Sequence, residues 1–171
     1  MWTMDYDEAA RYWEEKDRDS AHMEHQALKA RIEEFITANN TCALATASAD
    51  GDFVRNTPIE YNFLDGWFYF LSEGGLKFRA LKENENVGIA IYESYGGFGK
   101  LKGLQVTGTA EMVEPFSAEY LRVLEFKKIP EDAMRKLPHA MHLIKVAPAA
   151  YDYLDSALKK EGFAIRQHLE V

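Results

Sequence analysis

The sequence predicts a mainly β protein: an antiparallel barrel, closed or partly closed, with flanking helices. Three observations carry that expectation. Short β-rich segments recur between Thr41 and Val113. Glycine turns join them at Asp50-Gly51, Asp65-Gly66 and Gly74-Gly75. Helical spacing is confined to residues before Asn40, to a short stretch at Leu76–Asn84, and to residues after Ser117. Strands at short spacing joined by hairpin turns are how an antiparallel sheet curls on itself.

The elements follow in order. Asp5 to Lys16 is acidic at its start and sets Tyr6, Ala9, Ala10 and Trp13 along one side, which predicts a helix with an apolar stripe. A second helix is expected after Ser20, read as its N-cap. Met23, Ala27, Ala30, Ile32, Phe35 and Ile36 are available for burial on it, and Asn39-Asn40 ends it. Residues 1–40 are therefore expected to be a helical segment packed on the barrel or on a partner. Residues 41–171 are expected to form the barrel, within one domain overall.

Thr41 to Ser48 alternates as a first strand, and Gly51 suits the turn that follows. Phe53 to Phe63 is the second strand. Pro58 within it cannot donate to a ladder, so it marks an edge, a bulge or backbone that serves a ligand. Asp65-Gly66 turns the chain into a third strand, Trp67 to Ser72. Leu76 to Asn84 reads as a short helix. Val87 to Tyr92 is apolar enough to be buried on both faces. Ser94 to Gly99 is a glycine-rich loop. Leu101 to Val113 is a long strand with Gly103 and Gly108 as bends or bulges. Ser117 caps a helix that stops before Pro130, and a short helix or turn runs to Leu137. Ala140 to Ala147 reads as a strand. Ala149 to Asp155 reads as another, with Pro148 as a clean break, although Tyr151, Leu154 and Leu158 also fit helical spacing. The tail GFAIRQHLEV carries no clear signal.

Composition narrows the partners. Twenty basic against 28 acidic residues give a net charge of -8, which argues against a nucleic-acid partner and against a basic membrane-surface helix. No apolar run approaches the roughly 20 residues that cross a bilayer. The acidic start lacks a signal peptide's basic and apolar regions. The lone Cys42 cannot form an internal disulfide and sits in an apolar strand as a core thiol. A cytoplasmic protein is expected.

The chemistry concentrates between Phe53 and Lys77. A strand carrying Arg55, Asn56, Thr57 and Pro58 turns back, and the return strand delivers Ser72 and the Gly74-Gly75 turn. That turn opens a short helix with Lys77 in its first turn. Free N–H groups, the partial positive charge at a helix start and a lysine together favour a phosphate. The P-loop pattern Gly-x-x-x-x-Gly-Lys-Ser/Thr is absent. Arg55 offers fixed donors to a ligand's carbonyl oxygens, or else pairs with Glu60 or Glu73 on the surface. The pairs His22/His25 and His139/His142 lack a third ligand, so no metal is expected. No Gly-x-Ser-x-Gly nucleophile motif is present.

The succession TCALATASADGDFVRNTPIEY, DGWFYFLS, LKFRALKENENVGIAIY and KGLQVTGTAEMV resembles the FMN-binding split barrel of the pyridoxamine 5′-phosphate oxidase-like superfamily. The resemblance spans roughly Thr41 to Val113 and the strand near Met141 to Val146. It implies a six-stranded, Greek-key-type antiparallel split barrel with flanking helices, usually a homodimer with two FMN sites at the interface. By that resemblance Arg55, Asn56, Thr57 and Pro58 lie along the isoalloxazine ring, and Leu71, Ser72 and Lys77 hold the phosphate end. Gln105 falls on the strand that approaches the site from one side. Relatives often carry a second basic residue just before the lysine; Leu76 stands there, a departure that weakens phosphate binding unless Arg79 or a partner-chain residue substitutes. Arg166-Gln167-His168 is a poor match to the arginine–histidine substrate motif of the true oxidases, and that specific activity is not expected. The implied function is an FMN-dependent oxidoreductase acting on a small organic substrate, with a deazaflavin or haem as alternative cofactors. A non-catalytic flavin- or haem-binding carrier or sensor is the second expectation, and a cofactorless barrel the third.

Overall fold

The computed structural model describes all residues, Met1–Val171. The strands are β1 (Thr41–Ala47), β2 (Val54–Glu60), β3 (Asn62–Leu64), β4 (Trp67–Ser72), β5 (Asn86–Tyr92), β6 (Lys102–Val113), β7 (His142–Asp155) and β8 (Arg166–Glu170). The helices are α1 (Tyr6–Arg18), α2 (His25–Ala38), α3 (Lys77–Leu81), α4 (Ala118–Lys127) and α5 (Glu131–Arg135). The strands form one antiparallel sheet in the order β2-β1-β5-β6-β7-β4-β3, with β8 added on β7.

The two ends of that order, β2 and β3, are consecutive in the chain and separated by Tyr61 alone. One broken strand thus pairs with β1 through its first half and with β4 through its second. This is what curls the sheet into a barrel. Counted as one strand, β2 and β3 give the expected six, and β8 is the addition. The break is held from inside: the Tyr61 hydroxyl donates to the Ile36 carbonyl at the end of α2.

Alternation along the strands builds the main core. Cys42 and Leu44 of β1, Ile89 and Ile91 of β5, and Val106 of β6 point inward with Phe68 and Phe70 of β4. Leu28, Ile32, Phe35 and Ile36 of α2 complete the same cluster. The odd residues of β4 face the other way. Tyr69 packs with Leu143, with Tyr120, Val123 and Leu124 of α4, and with Met134 of α5 in a second cluster. No helix is long and apolar enough to cross a membrane.

Several expectations are corrected. The N-cap of α2 is Glu24, whose carboxylate accepts from the Ala27 N–H, while the Ser20 hydroxyl donates to the Lys16 carbonyl and closes α1. On α2, Leu28 is buried, whereas Ala27 and Ala30 are exposed. The α1 stripe is not covered by its own chain; α1 has no buried residue. Strand β5 is buried on one face only, because Gly88 and Ala90 on the other face are half-exposed. Pro148 does not break the chain: β7 runs through it. The register shifts there, Gly108 pairing with Pro148 and Thr107 with Ala150, so a bulge absorbs the missing donor. A Cβ on Gly108 would lie 2.5 Å from the Ala147 carbonyl oxygen, which is why glycine stands opposite. The tail, silent in the sequence, forms β8 along β7. The edge role read for Pro58 agrees with the structure, since β2 pairs on one side only, with β1.

Candidate functional site

The turn after β4 is built around one carbonyl. Gly74 and Gly75 have φ of 156° and 119°, conformations that only glycine adopts readily. The Ser72 hydroxyl donates to the Gly74 carbonyl oxygen at 2.9 Å, and the Gly74 N–H donates back to that hydroxyl at 3.3 Å. The Lys77 ammonium donates to the same carbonyl at 2.6 Å. Lys77 is only 5% exposed, and its ammonium lies 5.0 Å from the centre of the Phe78 ring. It forms no ion pair with any carboxylate. Burial lowers its pKa from 10.5, because a desolvated cation is held less willingly. A buried ammonium whose acceptor is neutral is a site of unbalanced positive charge. Glycine at 75 leaves that side of the ammonium uncrowded: a Cβ there would sit 3.3 Å from Nζ.

The helix after the turn, α3, packs against β1 and β2, which brings Lys77 beside the strand carrying Arg55. Register divides that strand. Arg55 pairs with Thr46 and Thr57 with Leu44, on the inward side; Asn56 pairs with Ala45 and Pro58 with Ala43, on the outward side. Arg55 is exposed and makes no ion pair; Glu60 is held instead by Lys127 at 2.8 Å. Thr46, opposite Arg55, is 2% exposed and its hydroxyl has no partner in the chain. The Arg79 guanidinium lies 5.3 Å over the Phe53 ring, just before β2.

The outer face forms a second set. Across the strands Pro58, Ala43, Ala90, Gln105, Asp152 and His168 lie in one row. The next row runs Asn56, Ala45, Gly88 and Thr107. Four small residues therefore floor a shallow trough with Asn56 and Pro58 on one wall and Gln105 on the other. Three strand spacings separate the walls, about 14 Å. Beyond Gln105 the face opens into a groove of about 1170 Å³ under the end of α1. There the Arg166 guanidinium stacks on Trp13 at 4.4 Å. His168 bonds Asp152 and Glu170 through its two ring nitrogens, each at 2.8 Å. These bonds raise its pKa above 6.5, Asp152 contributing most.

Of the residues singled out from the sequence, Ser72 and Lys77 meet at the Gly74 carbonyl, and Arg55 and Thr57 lie on β2, the strand that α3 contacts. Asn56, Pro58 and Gln105 share the outer trough. The Leu71 side chain packs into the second cluster under α4, so only its backbone is free for a ligand. Sequence reasoning missed Thr46 and the small-residue floor. The repeated alanines of TCALATA were a visible signal for that floor, but their neighbours were not.

A family model described as pyridoxamine 5′-phosphate oxidase matches residues 28–155. No curated protein matches the chain by sequence. Among solved structures it is similar to HutZ, the haem storage protein of Vibrio cholerae, at 24% identity and a TM-score of 0.59, covering 71% of this chain and 89% of that one. ChuZ of Campylobacter jejuni gives 20% identity and a TM-score of 0.65, covering 87% of this chain and 61% of that one. An FAD-binding protein of Mesorhizobium loti gives 18% identity and a TM-score of 0.58, covering 72% and 89%. At such identities the likeness is one of fold.

Proposed function

From the premise that the chain belongs to the pyridoxamine 5′-phosphate oxidase family, we propose that it binds FMN at a homodimer interface and acts as an oxidoreductase on a small organic substrate. The observation that carries this reading is the buried Lys77 ammonium, matched by a neutral carbonyl and approached past a glycine that leaves room. A phosphate would supply the missing negative charge. The residues present fit such a group.

Lys77 and the Ser72 hydroxyl would hold the phosphate, each turning part of its hydrogen bonding away from the Gly74 carbonyl. Arg55 and the backbone of β2 would lie along the ring system, with Arg55 holding negative charge near the reduced ring. Asn56, Pro58 and, from the trough's far wall or a partner, Gln105 would border the ring or its substrate. FMN bound there would supply hydride and electron transfer, while the protein orients and excludes water. No side chain of this chain is assigned as acid or base. A cytoplasmic location accords with the lone buried Cys42.

A haem carrier of the same fold needs an open axial ligand. His168 is the histidine in the groove, and both its ring nitrogens are bonded to carboxylates, which favours the flavin reading. The absorption spectrum of the purified protein, with the released ligand identified by mass, separates the two. Flavin bands and the mass of FMN are expected. A Soret band, or a colourless protein that cannot be reconstituted with FMN, would end the flavin proposal.

A further inference from the structure

We infer that the N-terminal arm, Met1 to Tyr12, packs into the outer-face groove of a second copy of this chain. The inference rests on the homodimer proposed above and adds the element that is exchanged.

The arm lacks cover of its own. Trp2 is 83% exposed and Tyr6 80%, and α1 buries none of its 13 residues. A helix of that length is marginal in water without a packed face. Only its last part touches the groove of its own chain, through Trp13, Glu14, Lys16 and Asp17; residues 1–12 do not line it. The pivot is fixed. Gln167, 1% exposed, accepts from the Met23 N–H at 3.0 Å and donates to the Ala21 carbonyl at 3.2 Å. The arm therefore leaves an anchored point and runs past its own groove with its aromatics bare.

Charge identifies the receiving surface. The groove carries five cations, Lys16, Lys100, Lys102, Lys159 and Arg166, against the acids Glu14, Asp17, Glu93 and Asp152, a balance of +1. The whole chain is -8, so all the remaining residues together carry -9. The arm carries Asp5, Asp7 and Glu8 against Arg11, a balance of -2. An acidic arm with bare aromatics thus meets a groove where cations exceed acids, rimmed by the exposed Tyr92 and Tyr95. The groove is continuous through Gln105 and Ala90 with the uncovered trough, the face the homodimer reading places at the interface. Arm and groove belong to the same chain, so a two-fold pairing covers both in each copy at once.

Hydrogen exchange of the full chain, measured with light scattering across protein concentration, tests this. The α1 amides are expected to be protected in the dimer and to exchange freely on dilution to monomer, while α2 stays protected throughout. A Trp2→Ser, Tyr6→Ser double variant, altered only at exposed positions, is expected to weaken dimerisation at least tenfold. Bare α1 amides within a dimer, α1 protection in a monomer, or unchanged dimer affinity in the variant would each overturn the inference. FMN titration is read separately. A dimer that shows arm protection but binds no FMN refutes the flavin reading alone. A monomer that binds FMN refutes the exchange, and the shared site with it.

Discussion

The Lys77 ammonium sits 2.6 Å from the Gly74 carbonyl oxygen, buried, with no carboxylate paired to it. Two groups converge on that oxygen, since the Ser72 hydroxyl donates to it as well. Under the flavin proposal, a phosphate at this turn would take donors from both groups, and the cost of holding a desolvated charge would be recovered as affinity.

Gly108→Ala tests the bulge that lets β7 pass through Pro148. The added carbon would meet the Ala147 carbonyl oxygen at 2.5 Å and the Val146 side chain at 2.9 Å. The first neighbour is backbone and cannot swing away. A loss of about 3 kcal/mol is expected in urea unfolding, the upper end for overpacking. A variant as stable as the parent would show that the strand can shift at no cost.

Ile32→Ala tests whether α2 belongs to the barrel core. Ile32 is 0% exposed in the cluster that includes Leu44 and Tyr153. Truncation should cost about 2–5 kcal/mol. An effect below about 0.5 kcal/mol would mean that α2 is an appendage rather than part of the core.

The Cys42 thiol should be inert in the native state. It is 7% exposed, and burial pushes its pKa up to about 12, so almost no thiolate exists near neutrality. Its reaction with a disulfide reagent should appear only on unfolding. Rapid modification of folded protein would contradict its placement inside β1.

Stability should carry a small pH dependence from His168. Its pKa is raised above 6.5 by Asp152 and then Glu170, so the fold binds this proton more tightly than the unfolded chain does. That stabilisation is complete below 6.5 and fades as pH rises through the raised value. His168→Gln should remove the slope in that window. The side chain is 42% exposed, so solvent screening keeps the effect to about 0.5 kcal/mol or less. A variant that keeps the parent's slope would assign it elsewhere.

Much of the fold was legible because it is written in local terms. Alternation in TCALATA, the Asp65-Gly66 turn with positive φ at both residues, and the Ser117 cap each act over a few neighbours. What was not legible depends on partners distant in sequence. Pro148 reads as a stop until Gly108 is seen opposite it. Glu24 outcompetes Ser20 as a cap because Ser20 is occupied by the end of α1. At the site, the glycine turn and Lys77 could be named from spacing, but the shared carbonyl could not. The trough between Pro58 and Gln105 needs the pairing of four strands before it exists. The apolar stripe of α1 was plain in the sequence, and α1 buries none of its residues against its own chain.

The central claim is tested most directly by titrating FMN into the wild-type protein and into Lys77→Met, which keeps the buried bulk and removes the charge. Loss of a charge-assisted hydrogen bond predicts FMN binding weaker by about 10- to 100-fold. The ligand-free variant should melt no lower than the parent, because an unbalanced buried cation has gone. Equal FMN affinity in the two proteins would contradict the account.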